Sequence, residues 1–312
     1  MDQDNKLRII EVNLLFLAGS ILFFTIGFYA QSREIFTGLL ITQFAVVLLP
    51  AIAYMEIKKI DIKSTLRLYP LHWKQIILTV LITLFMYPSA VFGNLIVMNI
   101  LNRFGEISIP QIPSATNLYE YLRLVFIVSL AAGICEEVFF RGVIFRGYQQ
   151  LGNIKAVLIT SVLFGIFHYN IYNLLGPIVL GIVFGSLVVV TKSLWAAIIG
   201  HVVNNLLAIS IGYFFFVMDD YISNENAEIA ETTMQESLFA SLIFFGVLAV
   251  IGLLISGFLW RKLKILSASS PDDNQPRRES KVSMMEYIPL TGAIPLFIYI
   301  IVWQISNVIT SV

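Results

Sequence analysis

The chain has 312 residues, of which 58% are hydrophobic and 13% charged, with a formal net charge of zero and a mean hydropathy of +0.83. Soluble domains average nearer half apolar and a quarter charged, so a water-soluble globule is excluded, and the even charge balance points to neither an acidic nor a basic partner. Cys135 is the sole cysteine, which rules out an intrachain disulfide and any zinc site built from several cysteines.

From the amino end, Met1 to Leu7 lack the basic segment that opens a secretory signal peptide, so the apolar run that follows is expected to stay as a membrane anchor. A helix crossing a hydrocarbon core about 30 Å thick needs roughly 20 apolar residues. Runs of that kind fall at 12–30, 36–54, 76–101, 121–145, 154–168, 174–190, 194–216, 238–260 and 289–310. The fifth and sixth are short, which leaves eight spans as the alternative to nine. The expected fold is all-α, a polytopic transmembrane helix bundle of eight or nine spans. It divides into N-terminal helices and loops over 1–120, a core over 121–216, and C-terminal helices with a linker over 217–312.

Threading nine spans from a cytoplasmic amino terminus puts sixteen of the twenty Lys and Arg residues on the cytoplasmic side and three outside, with Arg141 inside the fourth span. That asymmetry is the positive-inside pattern. Three connecting segments read as solvated: a basic loop at 56–74, an external loop at 102–117 with Pro110 and Pro113, and a Ser-, Pro- and charge-rich linker at 267–283. An acidic stretch with Asp219, Asp220, Glu225, Glu228, Glu231 and Glu236 falls outside. Nothing suggests nucleic-acid binding.

Ionisable residues inside the spans concentrate on three of them. The fourth reads Cys135-Glu136-Glu137-Val138-Phe139-Phe140-Arg141, the fifth Phe164-Gly165-Ile166-Phe167-His168, and the seventh His201-Val202-Val203-Asn204-Asn205. A charged side chain at mid-membrane costs roughly 2.5–3.5 kcal/mol on insertion scales and therefore faces a partner or a wet cavity. Glu137 and Arg141 stand one turn apart, fit for an i, i+4 ion pair, while Glu136 lies about 100° round the helix and stays free. At 1.5 Å per residue from the nearest basic flank, Glu136, His168 and His201 lie about 15, 20 and 14 Å deep, so three helices bring polar groups to similar depth. Each motif alone has a bland reading: a structural ion pair, or a Phe or Asn placed by chance. Their joint occurrence on three spans points to a catalytic constellation. His72 beside Trp73 reads as interfacial, Gly181 and Gly185 as a close-packing pair, and Cys135 as a small buried packing residue whose place beside Glu136 also makes it a candidate modification site.

The three motifs resemble those of the CPBP family, the CAAX proteases and bacteriocin-processing enzymes with their lysostaphin-resistance-like branch: EExxxR, FxxxH and HxxxN on successive membrane helices. The resemblance covers roughly Tyr121 to Phe216. It implies an intramembrane endopeptidase, a hydrolase acting on a membrane-associated peptide or lipid-anchored protein. By resemblance, Glu136 activates water with His168 assisting, His201 and Asn205 stabilise the oxyanion, and Glu137 and Arg141 hold the site in register. The chemistry is consistent with this. A carboxylate in a water-poor cavity is an effective proton acceptor, and preset amide and imidazole donors stabilise developing negative charge.

Glu136, His168 and His201 are also acceptable zinc ligands, so a metal-assisted and a metal-free glutamate mechanism both stand at this stage. Two other classes compete: a proton-coupled transporter relaying protons through Glu and His, and an inactive scaffold or immunity protein of the same family. The transporter reading calls for paired broken helices in inverted repeats, and the sequence has none of clear period. The expected location is a bacterial cell membrane with the amino terminus cytoplasmic.

Overall fold

The computed structural model describes residues 7–107, 114–223, 234–268 and 282–310. Among them there is no strand, and nine long helices account for the architecture: α1 (Ile9–Arg33), α2 (Ile35–Ile57), α3 (Trp73–Leu101), α4 (118–148), α5 (Asn153–Ile166), α6 (Leu175–Thr191), α7 (Leu194–Ser223), α8 (Met234–Ser267) and α9 (Leu290–Thr310). The 219–236 acidic stretch and the 267–283 linker lie largely outside the described residues, as do Pro110 and Pro113.

Seven of these helices are long and apolar enough to cross a membrane: α1, α2, α3, α6 with the turn before it, α7, α8 and α9. The two that fall short are those carrying the acidic motif and the first histidine motif. Helix α4 is long, but Arg123, Glu136, Glu137 and Arg141 interrupt its apolar run. Helix α5 has only 14 residues, or roughly 21 Å, and stops short of a 30 Å core. The expectation that the fifth helix runs through His168 is therefore corrected. The helix ends at Ile166, and His168 stands in the turn beyond it.

A non-helical turn at that depth is tolerated only where protein satisfies its backbone. Two side-chain amides from neighbouring helices do so. On α3, Asn94 Oδ1 accepts from the Gly176 N–H at 2.7 Å while its Nδ2 donates to Asn173 Oδ1 at 2.8 Å. On α9, Gln304 Oε1 accepts from the Ile171 N–H at 2.8 Å while its Nε2 donates to the Tyr169 carbonyl at 3.0 Å. Tyr169 itself sits at φ 48°, in the left-handed region, and is packed on Phe24 at 4.5 Å between ring centroids.

Helix α3 packs along α8, and α6 lies between α5 and α3. Gly181 makes the α5–α6 contact possible: a Cβ there would stand 2.9 Å from Ser161 Cα, so the close-packing reading of that glycine holds. The interface between α4 and α7 has the same character. A Cβ on Gly133 would meet Val202 Cγ2 at 2.7 Å and the Val202 nitrogen at 3.2 Å. Ser129 Oγ donates to the Val202 carbonyl across the same contact at 2.8 Å.

The basic loop at 58–72 is only partly solvated, contrary to its sequence reading. Leu66 is buried, Leu194 N–H donates to the Arg67 carbonyl at 3.1 Å, and Ser193 Oγ donates to the Tyr69 carbonyl at 2.6 Å. His72 caps α3 by accepting from the Lys74 N–H through Nδ1 at 3.3 Å. On the outside of the bundle, α8 leaves Phe239, Ile243, Phe244, Val247, Val250 and Leu254 exposed. Uncovered apolar surface on that scale is stable in lipid and not in water.

Candidate active site

Two π-helical segments, Val125–Ala131 and Val138–Ile144, bracket the acidic pair on α4. Wide turns of this kind cluster at functional sites, because they re-aim side chains within a continuous helix. Every residue of Val138–Ile144 is buried, so this stretch is the centre of the molecule.

Arg141 Nη1 donates to Glu137 Oε1 at 2.9 Å, with both side chains fully buried. The i, i+4 ion pair is as expected. The same carboxylate oxygen also receives His201 Nδ1 at 2.8 Å, so Glu137 joins α4 to α7 as well as holding Arg141. Arg141 Nε and Nη2 have no hydrogen-bond partner among the described residues. Aromatic faces surround the guanidinium instead. Its carbon lies 4.4 Å from the Phe164 ring centroid, 5.7 Å from Phe184 and 6.0 Å from Phe140. A cation over a ring is attracted by the ring's quadrupole, most strongly where water is excluded.

Phe164 therefore has a defined part in the motif it begins. Its ring faces Arg141 and meets His201 edge-on at 5.8 Å, and its carbonyl accepts from His168 Nδ1 at 2.8 Å. The last carbonyls of a helix have no partner within it, and the His168 side chain supplies one. A carbonyl can only accept, so Nδ1 carries the proton and Nε2 of the neutral ring is a lone pair. His201, stacked on Phe184 at 5.3 Å, is fixed in the same sense by Glu137. Its Nε2 lies 3.9 Å from Glu136 Oε2.

Glu136 differs from its neighbour. Its side chain is 15% exposed where that of Glu137 is fully buried, and no cation of Lys or Arg pairs with it among the described residues. Gln43, on the π-helical stretch Thr42–Leu48 of α2, donates Nε2–H to Glu136 Oε1 at 2.8 Å. Sequence reading missed Gln43, because one uncharged amide in an apolar run gives no electrostatic signal.

Asn205 lies one turn beyond His201, but its hydrogen bonds run elsewhere. Its Nδ2 donates to the Val128 carbonyl at 2.8 Å, and its Oδ1 accepts from Asn204 at 3.0 Å. Glu136, Glu137, Arg141 and His201 thus form one connected cluster. His168 joins it through Phe164, and Asn205 ties α7 to α4 beside it. Cys135 is buried, in keeping with its packing reading. His168 and His201 each hold an acceptor by Nδ1, as a metal-binding histidine also does. Among the described residues, however, no three His, Cys, Asp or Glu side chains lie where they could hold a metal ion. The zinc set raised from sequence does not fit this geometry, and no step below runs through a metal.

Helical spans around a buried carboxylate–guanidinium–imidazole cluster make this a multi-pass membrane protein. Residues 119–207 match the family described as Type II CAAX prenyl endopeptidase Rce1-like. All six residues singled out from the motifs lie inside this segment. A Bacillus subtilis (strain 168) protein named as a membrane peptidase, YdiL, is 33% identical over 87 residues, covering 28% of this chain and 36% of the relative. The chain therefore spans about a third of that relative's length. No solved structure matches the chain.

Gln304 gives a test of the turn that carries His168. Gln304→Ala removes two hydrogen bonds to part-buried backbone, each with a net contribution of about 0.5–1.5 kcal/mol. The unfolding midpoint in detergent is expected to fall, with proteolysis opening first at 167–174. An unchanged midpoint would show that the turn holds without α9.

Proposed function

We propose that the protein is an intramembrane endopeptidase that hydrolyses a peptide bond of a membrane-associated peptide or lipid-anchored protein, with water activated by Glu136. The observation that carries this reading is the contrast between adjacent carboxylates. Glu137 is enclosed and committed to Arg141 and His201, whereas Glu136 is partly accessible and takes its side-chain hydrogen bond, among the described residues, from a neutral amide. One stabilises the arrangement and the other is left for chemistry.

In this mechanism the water gives one proton to Glu136 and directs its second to the Nε2 lone pair of His168. The water oxygen attacks the scissile carbonyl carbon. The oxyanion is met by His201, held in place through Nδ1 by Glu137. The amide hydrogen of Asn205 not used by Val128 is a second donor. Glu136 then passes its proton to the departing amine and the C–N bond breaks.

The substrate class rests on the family's name and on the site's place among membrane helices. The bacterial relative and the basic asymmetry support a bacterial cell membrane with a cytoplasmic amino terminus. Comparing membrane peptides from cells carrying wild type or Glu136→Ala tests the activity. Peptides whose termini depend on Glu136 support it, and identical peptide sets would sink it. Orientation is tested separately on a Cys135→Ser background. A membrane-impermeant maleimide should label Ser114→Cys in intact cells and Ser64→Cys only after permeabilisation, and the reverse pattern would invert the topology.

A further inference from the structure

Gln43 lies on α2, outside the segment matched to the peptidase family. Its residue is 8% exposed, and its two amide ends have different fates. Nε2 donates to Glu136 Oε1 at 2.8 Å, and an ionised carboxylate can only accept, so the amide's orientation is set. Oε1 is then the end of the fork that Glu136 does not hold. It is buried and has no hydrogen-bond partner among the described residues. A buried amide oxygen left without a donor costs free energy, and one placed beside a candidate base invites a donor that arrives with the substrate.

A peptide entering from lipid brings the complementary problem. Each backbone N–H it carries into the hydrocarbon costs several kcal/mol until it finds an acceptor. We propose that Gln43 is a substrate-binding residue whose Oε1 accepts a backbone N–H of the peptide next to the scissile bond while its Nε2–H orients Glu136. This rests on the peptidase reading above. One side chain then sets the distance between the base and the peptide. The π-helical stretch that begins at Thr42 turns Gln43 inward together with Thr42, Val46 and Val47, all buried.

The test pairs a protein variant with a change in the peptide. The probe is the shortest peptide that wild type cuts and Glu136→Gln leaves intact, resynthesised with a fluorophore and quencher. A series of analogues then replaces one non-scissile amide at a time by an ester, which removes the N–H and keeps the shape. In wild type, one ester next to the scissile bond should lower kcat/KM on the order of tenfold, the scale of one buried hydrogen bond. Gln43→Leu should lower kcat/KM for the all-amide peptide about 10–100-fold, since it also removes a donor to a charged group. In that variant the ester penalty should disappear.

Equal ester penalties in both proteins would overturn the proposal and leave the peptidase reading standing, with Gln43 orienting Glu136 or a water alone. If Gln43→Leu does not accumulate, Gln43→Met, unbranched and of similar length, serves the same comparison. If wild type cuts no peptide, or Glu136→Gln cuts as fast as wild type, the underlying reading fails first and this one with it.

Discussion

Replacing Glu136 with Gln is expected to abolish peptide cleavage while leaving the protein folded. The carboxamide is nearly isosteric, and Gln43 Nε2–H can still find an oxygen at the position now 2.8 Å away. Among the described residues no lysine or arginine forms an ion pair with Glu136, so no counter-ion is stranded by the change. What disappears is the proton acceptor. A positioned general base contributes about 10²–10⁴-fold, so the rate should fall at least into that range. Cleavage in proteoliposomes and the unfolding midpoint are read together. A folded Glu136→Gln protein that still cuts at near wild-type rate would remove Glu136 from the mechanism.

Glu137→Gln should give the opposite combination, a protein that loses activity because it loses structure. One oxygen of Glu137 receives both Arg141 at 2.9 Å and His201 at 2.8 Å, and the side chains of Glu137 and Arg141 are both fully buried. The amide leaves a guanidinium buried without a counter-charge, and breaking a buried pair in this way typically costs about 3–5 kcal/mol. Low accumulation and a lowered midpoint are expected. Arg141→Met in the same background removes the stranded charge and should restore much of the stability. It should not restore activity, because His201 remains without its carboxylate. If the double variant is no more stable than Glu137→Gln alone, Arg141 is not the source of the loss.

The contrast between the two glutamates was legible in the sequence, because charge in a membrane helix is rare and a spacing of four residues specifies a pair. The meeting of α4 and α7 was legible from the matching depths of Glu136 and His201 in their spans. Three features were not. The second bond of Glu137, to His201, is invisible because sequence spacing reports partners only within one helix. Gln43, Asn94 and Gln304 were passed over because neutral amides in apolar runs carry no charge to notice, yet each satisfies or orients a polar group that would otherwise be stranded. The early end of α5 was hidden too. Phe167 and His168 continue the apolar and motif spacing, while the left-handed residue that follows is a tyrosine and not the glycine that usually announces a helix end.

The Gln304 clamp also bears on how the matched segment could be cut out or grafted. A fragment of residues 119–207 would keep every motif residue, from Glu136 to Asn205, and would look complete by alignment. It would lose the amide that holds Glu136, the amide that holds Asn173 and Gly176, and the amide that spans Tyr169 and Ile171. Those three come from α2, α3 and α9, on both sides of the fragment in the chain. Swapping the matched segment into a relative's flanking helices would succeed only if those helices present hydrogen-bonding groups at the same three places.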